Sequence, residues 1–203
     1  MRIIFVRHGQ TVWNAESRYQ GHSDTDLSEV GRMQAQQVAD RLESEDIAAV
    51  YASDLRRASD TGSMIADRHN LEVRTDPRLR ECEFGEWEGL TVTQIRERYT
   101  EIYRRYQVDS VNQRAPQGER LESLVERVGE AIDEIAVRHP SDTVVVAAHG
   151  GTVHAAICHM IRASLYTFRK IRIDNCSITT FSLDSNGRWL LEAMNDVCHM
   201  GNG

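Results

Sequence analysis

Short apolar runs alternate with longer amphipathic stretches along most of this chain. The runs are rich in β-branched residues and too short for buried helices, which is typical of strands covered on both faces. They lie at residues 2–6, 47–53 and 143–148, and residues 71–75 are expected to form a further strand. The stretches between them repeat apolar residues every three or four positions, as helices that bury one face do. They lie at residues 28–45, 55–69, 121–139 and 152–161.

This alternation predicts an α/β fold with a mostly parallel central sheet and helices on both of its faces. Two further runs, residues 177–183 and 189–194, flank Asn186-Gly187 and predict a terminal hairpin, because this dipeptide favours tight turns between strands. Residues 91–120 interrupt the alternation with a charged helical stretch and then a loop. We therefore expect a three-layer α/β/α sandwich, with residues 1–203 forming one domain and residues 91–120 a small helical cap.

The composition agrees with one ordinary globular domain and argues against some classes of binding partner. The chain has 203 residues, of which 40% are hydrophobic and 27% charged, so it can bury a core without disulfides or metals. Its four cysteines lack metal-binding spacing and are expected to be free thiols. The net charge of −7 argues against nucleic acid and anionic membranes as partners. With no signal-like start and no apolar run long enough to span a membrane, we expect a cytoplasmic protein.

Histidines and arginines follow three of the predicted strands. Arg7 and His8 come directly after the first strand, Arg57 follows the second, and His149-Gly150-Gly151 follows the run at residues 143–148. Ligands of open α/β sheets bind beyond the carboxyl ends of the strands, so these groups are expected to face one crevice. Guanidinium groups and the free N–H groups at a helix start both bind phosphate. The crevice is therefore predicted to bind a phosphate group.

Four motifs follow one another along the chain. They are Arg7-His8-Gly9-Gln10-Thr11 with Asn14, then Ser53-x-Leu55-x-Arg57-Ala58, then Leu79-x-Glu81 followed by Gly85-x-Trp87-Glu88-Gly89, and finally His149-Gly150-Gly151. Their order resembles that of the histidine phosphatase superfamily, the phosphoglycerate mutase-like proteins, and in particular its small phosphatases. Matches at Gln20-Gly21, Asp26-Leu27-Ser28 with Gly31 and Pro116-Gln117-Gly118-Glu119 extend the resemblance over nearly the whole chain.

The resemblance implies a phosphatase that acts on a small phosphorylated metabolite without a metal or another cofactor. His8 would be the nucleophile that forms a phosphohistidine, and Glu81 the general acid and then the general base. Arg7, Arg57 and His149 would stabilise the charge on the transferred phosphoryl group. Further contacts to phosphate or substrate are implied for Asn14, Gly150, Thr11, Gln20, Gly21 and His22.

Alternatives to these roles stay open. Glu83, two residues beyond Glu81, is a second candidate for the general acid. Mutases of the superfamily carry a longer basic insertion where this chain has the short stretch 90–115, which favours a phosphatase over a cofactor-dependent phosphoglycerate mutase. A non-catalytic module that binds a phosphorylated ligand is disfavoured, because it would need no general acid.

Some residues allow more than one interpretation. His154 and Cys158 lie four positions apart, a weak indication of zinc, and core packing is favoured for Cys158. His199 is expected either to close the pocket or to lie in a disordered tail. The terminal hairpin presents an edge strand that could pair in a homodimer, although an edge strand alone is weak evidence for one.

Overall fold

The computed structural model of the chain describes residues 1–168 and 170–201. In these residues the strands are β1 (Arg2–Arg7), β2 (Ile47–Ala52), β3 (Val73–Thr75), β4 (Thr143–Ala148), β5 (Ile178–Leu183) and β6 (Trp189–Asp196). The helices are α1 (Val12–Ala15), α2 (Glu29–Leu42), α3 (Arg56–Arg68), α4 (Val92–Arg98), α5 (Thr100–Val108), α6 (Leu121–Arg138) and α7 (Gly150–Met160). Every predicted strand and helix is present, and the stretch predicted as one cap helix is divided into two at Tyr99.

The sheet is mixed, with the strand order β3-β2-β4-β1-β5-β6. The first four strands in this order run parallel to one another, whereas β5 is antiparallel to both β1 and β6. The predicted terminal hairpin is therefore confirmed as the pair β5 and β6, and it extends the parallel sheet on the β1 side. Because β2, β4 and β1 are adjacent and parallel, their carboxyl ends open onto the same edge of the sheet.

Two apolar cores, one on each face of the sheet, confirm the three-layer arrangement. Alternate residues of a strand point to opposite faces, so Ile3 and Phe5 of β1 pack with α6 and α7, while Ile4 and Val6 pack with α2 and α3. All four side chains are fully buried. The continuous apolar run of β1 is thus the sequence signature of a strand covered on both sides.

The cap at residues 91–120 has a small aromatic core of its own. Trp87, Ile95, Tyr103 and Ala115 are buried together, and the Trp87 ring meets the ring of Tyr103 edge-on, with 5.6 Å between centroids. The start of α4 is capped by Thr91 and Gln94, each of which bonds to the backbone N–H of the other. Local capping and aromatic packing therefore hold these two short helices together.

The four cysteines are free thiols, as predicted. Cys158 packs in the core beside α6, which agrees with the favoured interpretation of that residue. Among residues 1–168 and 170–201, no helix combines the length and the apolar composition needed to cross a membrane.

Candidate active site

Three buried polar side chains meet at the carboxyl edge of the sheet. His8 follows β1, Arg57 lies in the first turn of α3, and His149 precedes α7. All three are buried, and the rings of His8 and His149 lie 5.2 Å apart between centroids. Strand order brings these groups together, because β2, β4 and β1 are neighbours in the sheet. The expected convergence on one crevice is present.

The His8 ring is held in one orientation and one tautomer. Its Nδ1 donates to the carbonyl oxygen of Gly9 at 2.7 Å, which leaves the lone pair on Nε2 unprotonated. The backbone N–H of His8 donates to the carbonyl of Ala148 at 2.9 Å. Burial, together with the nearby guanidinium groups of Arg57 and Arg7, lowers the pKa of His8 well below its usual value. His8 is therefore a neutral, oriented base with a free nucleophilic nitrogen.

Arg57 is fully buried and Arg7 is partly buried, and neither cation has a carboxylate partner within the described residues. Arg57 donates to the carbonyls of Gly21 and Ser23, each at 2.8 Å, and Arg7 donates to the carbonyl of Ile173 at 2.6 Å. In the described parts of the chain, the Nε atoms of both arginines are buried without a hydrogen-bond partner. Burial lowers the pKa of Arg57 to about 10, so it stays charged at neutral pH. Unpaired buried guanidinium groups favour binding of an anion.

His149 and the start of α7 add further donors to this site. Neither ring nitrogen of His149 has a partner among the described residues, although the ring is fully buried. Burial first, and then the charge of Arg57, lowers the pKa of His149 well below its usual value. Helix α7 begins at Gly150, so its first N–H groups and its dipole also point toward this edge of the sheet.

The Glu81 carboxylate lies beside the start of α7. Its Oε1 accepts from the backbone N–H of Cys82 at 2.7 Å, and its Oε2 accepts from that of Gly151 at 3.1 Å. Glu83, the second candidate acid, is exposed and faces away from the histidine side of the site, onto a small surface pocket beside the cap. The geometry thus brings Glu81, rather than Glu83, to the histidines.

Arg127 on α6 holds the backbone of the loop that carries Glu81, and the sequence analysis missed it. Its guanidinium donates to the carbonyls of Arg78, Arg80 and Glu81 at 2.7 to 2.8 Å. It is also paired with the carboxylate of Glu119 at 2.7 Å. The only signal in the sequence is an arginine within an otherwise ordinary amphipathic helix, because the carbonyls that it binds lie 46 to 49 residues away.

Asn175 is a second residue that the sequence analysis missed. Its amide nitrogen donates to the carbonyl of His8 at 2.9 Å and to Oδ1 of Asn14 at 3.3 Å. The same Oδ1 also accepts from the backbone N–H of Thr11 at 3.1 Å. The Asn14 amide is thereby oriented with its nitrogen free to donate, as a phosphate ligand requires.

The cavity above these groups consists of two connected chambers that share the side chains of Arg7, Tyr19, Glu81 and Phe84. The histidine chamber, of about 230 Å³, is otherwise lined by His8, Asn14, Ser17, Arg18, Gln20, Gly21 and Arg57. The aromatic chamber, of about 350 Å³, is otherwise lined by Cys82, Tyr106, Leu121, Gly150, Gly151, His154, Phe168, Ile171 and Ile173. His8, Arg57 and Asn14 therefore line one chamber only, and most of the aromatic and aliphatic side chains line the other.

Besides His149, whose fully buried ring lies beside His8, two residues for which substrate contacts were expected do not line either chamber. Thr11 is fully buried, caps the start of α1 and donates its hydroxyl to Gln20 Oε1 at 3.0 Å. Nε2 of His22 donates to the backbone carbonyl of Glu81 at 2.9 Å, because a carbonyl oxygen can only accept. Both side chains thus support neighbouring residues of the site from outside the cavity.

His199 lies outside the cavity and is part of an ordered turn at Cys198–Met200 that packs against α2. Its Nε2 donates to the carbonyl of Cys176 at 3.0 Å, so neither of the two expectations for this residue holds. In the described parts of the chain, no group of three or more His, Cys, Asp or Glu side chains is arranged to hold a metal ion.

Comparisons with known proteins agree with this geometry. The model of the histidine phosphatase superfamily (branch 1) matches residues 3–197. Phosphoglycerate mutase-like protein 4 of Arabidopsis thaliana is 37% identical over 201 residues, which cover 98% of this chain and 86% of that protein. A metal-independent phosphoserine phosphatase of the same plant is 35% identical over 201 residues, covering 98% and 82%. A mycobacterial glucosyl-3-phosphoglycerate phosphatase solved with VO3 superposes with a TM-score of 0.87 and 34% identity, covering 96% of this chain and 98% of that one.

Proposed function

The chain belongs to the histidine phosphatase superfamily, branch 1, and we propose that it is a metal-independent phosphatase that hydrolyses a small phosphomonoester through a phosphohistidine on His8. One observation carries this proposal. The neutral, oriented ring of His8 lies near two guanidinium groups, one fully and one partly buried, that lack carboxylate partners in the described residues. Such a site binds a dianionic phosphate and presents it to a nucleophile.

In the first step, the lone pair on Nε2 of His8 attacks phosphorus while the bond between phosphorus and the ester oxygen breaks. Arg7, Arg57 and His149 stabilise the charge that spreads over the three other phosphate oxygens. Glu81, which begins the step protonated, gives its proton to the departing oxygen, so the alcohol leaves neutral. The carbonyl of Gly9 accepts a hydrogen bond from Nδ1–H of His8 throughout, and it stabilises the positive charge that develops on the imidazole.

In the second step, Glu81 acts as a base. Its carboxylate takes a proton from a water molecule, whose oxygen attacks phosphorus as the bond to Nε2 of His8 breaks. Inorganic phosphate leaves, and both residues return to their starting state. Residues 1–203 would act as one domain in this reaction, with the cap at residues 91–120 contributing Tyr106 to the cavity wall.

Rapid-quench measurements with a radiolabelled phosphomonoester in EDTA test this mechanism. We expect a phosphoenzyme that is stable in base and labile in acid, and none in His8→Ala. Glu81→Gln is expected to lower kcat by about 10²- to 10⁴-fold, whereas Glu83→Gln, with the same change of charge two residues away, is the matched control. Turnover that survives His8→Ala, or that requires a divalent metal, would overturn the proposal.

A mutase remains the second candidate, because a relative that covers nearly the whole chain is named phosphoglycerate mutase-like. The two activities differ in what accepts the phosphoryl group from His8, water or a second hydroxyl group of the substrate. Incubation with 3-phosphoglycerate separates them. We expect inorganic phosphate as the product, and isomerisation to 2-phosphoglycerate without phosphate release would favour the mutase.

A further inference from the structure

We infer that the aromatic chamber holds the leaving group and that the preferred substrates carry a ring-bearing, uncharged alcohol. This inference rests on the proposed phosphatase activity and adds to it the chemical class of the substrate. It starts from the contrast between the two chambers, of which only the histidine chamber contains His8, Arg57 and Asn14. These are the groups that bind and attack phosphate, so the rest of the ester must extend elsewhere.

Glu81 sets the direction in which the ester extends. As the proton donor, it must lie next to the ester oxygen, and it is one of the side chains that both chambers share. The start of α7 at Gly150 and Gly151 lies on the aromatic side of that boundary. An ester whose phosphate lies at His8 and whose bridging oxygen meets Glu81 therefore directs its alcohol into the aromatic chamber.

The wall of this chamber suits a flat apolar group. It includes Phe84, Tyr106, Leu121, Phe168 and Ile171, which come from the Glu81 loop, the cap, α6 and the segment after α7. Its volume of about 350 Å³ lies within the range of about 300 to 1,000 Å³ that small-molecule pockets span. Such pockets are lined mainly by apolar and aromatic side chains, with a few polar groups that orient the ligand.

The polar side chains in this wall are already engaged. The two ring nitrogens of His154 lie 2.7 Å from the carbonyl of Gly150 and 2.9 Å from that of Ile171. His154 also stacks on Phe168, with 4.9 Å between ring centroids. It therefore presents a ring surface to the chamber rather than a free N–H group. Arg7 is the one arginine among the described wall residues, and its positive charge is needed to bind the phosphate group rather than the alcohol.

A pair of alkyl phosphates that differ by a phenyl ring tests the inference. The leaving oxygens of 2-phenylethyl phosphate and ethyl phosphate have similar basicity, so a difference in kcat/KM reports the ring alone. We expect 2-phenylethyl phosphate to be preferred by about 10- to 100-fold, which corresponds to burial of a phenyl side chain. It should also be preferred over O-phosphoserine, because Arg7 and Glu81, the charged side chains of the described wall, are both engaged by the reaction itself.

Variants locate the effect in the chamber. Phe168→Ala removes a wall side chain and should reduce the preference for the phenyl ester by about tenfold. Tyr166→Ala removes an aromatic side chain two positions away that is 58% exposed and lines neither chamber, so it should retain the preference. Ile171→Ala provides a second wall variant if Phe168→Ala does not fold.

Phosphonate analogues, which cannot transfer their phosphoryl group, separate this inference from the proposed activity. Calorimetry should show that 2-phenylethylphosphonate binds about tenfold or more tightly than ethylphosphonate, even in a protein without turnover. If the phosphonates bind equally well, or if O-phosphoserine is the better substrate, the inference is wrong while the phosphatase mechanism stands. If the phenyl group improves binding but no ester is hydrolysed, the mechanism is wrong while the chamber keeps its proposed ligand.

Discussion

Gly151→Ala is expected to displace Glu81, the proposed general acid, without damaging the fold. A Cβ atom at position 151 would lie 2.0 Å from Oε1 of Glu81, whereas ordinary contact begins at 3.4 Å. The carboxylate would have to retreat by about 1.4 Å, the difference between these two distances, and it would lose its position against the backbone N–H of Gly151. Residue 151 lies within helix α7 and does not have a positive φ, so alanine favours the helix there.

The size of the effect follows from the chemistry that Glu81 performs. A misplacement of about 1 Å can reduce the rate by about 10²-fold, so kcat/KM for an alkyl phosphate should fall by about 100-fold in Gly151→Ala. The fall should be much smaller for p-nitrophenyl phosphate, because p-nitrophenolate leaves without being protonated. Steady-state kinetics with both esters, together with urea unfolding of the variant, measure the two effects separately.

Gly150→Ala is the matched comparison for this prediction. A Cβ atom at position 150 would approach only the Arg7 side chain, at 3.8 Å, which is ordinary van der Waals contact. The loss for alkyl phosphates should therefore be far smaller than in Gly151→Ala. Equal losses in the two variants, or equal losses for the two esters in Gly151→Ala, would refute the reasoning, because either result would indicate a general distortion of α7.

Three further predictions concern stability. Arg127→Ala should lower the free energy of unfolding in urea by about 3 to 5 kcal/mol, because Glu119 and three backbone carbonyls would lose their hydrogen-bond donor in a largely buried site. A loss below about 1 kcal/mol would contradict this prediction. Trp87→Ala should cost about 3 to 5 kcal/mol, because its side chain is fully buried in the cap core, and unchanged protease resistance of the cap would argue against this. Burial lowers the pKa values of His8 and His149 below 6.5, so below that pH the unfolded chain binds protons that the folded one does not. Unfolding free energy should therefore decrease as pH falls from 6.5, by about 1 kcal/mol per pH unit for each histidine; a His149→Asn variant with an unchanged slope would exclude its contribution.

The strands and helices of this protein could be predicted because their signals are local. The run at residues 143–148 is apolar after Thr143, and the structure buries all but this first residue as β4. The apolar stripe at residues 121–139 likewise predicted α6 from a local signal, because a helix with one apolar face buries that face against the sheet. The division of the cap helix at Tyr99 was not predicted, because it depends on how α5 packs on Trp87 rather than on periodicity.

The candidate site was predictable where chemistry follows directly after a strand. His8 and His149 could be placed together because parallel strands end at one edge of a sheet. The direction of a side chain in a loop carries no such signal. Thr11 and His22 therefore lie next to predicted ligands in the sequence and yet outside the cavity.

The sequence by itself determined the strands and the long helices, the two-sided burial of β1 and the meeting of His8, Arg57 and His149 at the carboxyl edge of the sheet. Hydrogen bonding and burial within a segment depend on neighbouring residues, which a linear pattern records. Only the tertiary structure decided the order β3-β2-β4-β1-β5-β6, the clamp of Arg127 on the Glu81 loop and the separate aromatic chamber. These features join residues far apart in the chain, and which groups meet there depends on the packing of whole strands and helices, which no single segment encodes.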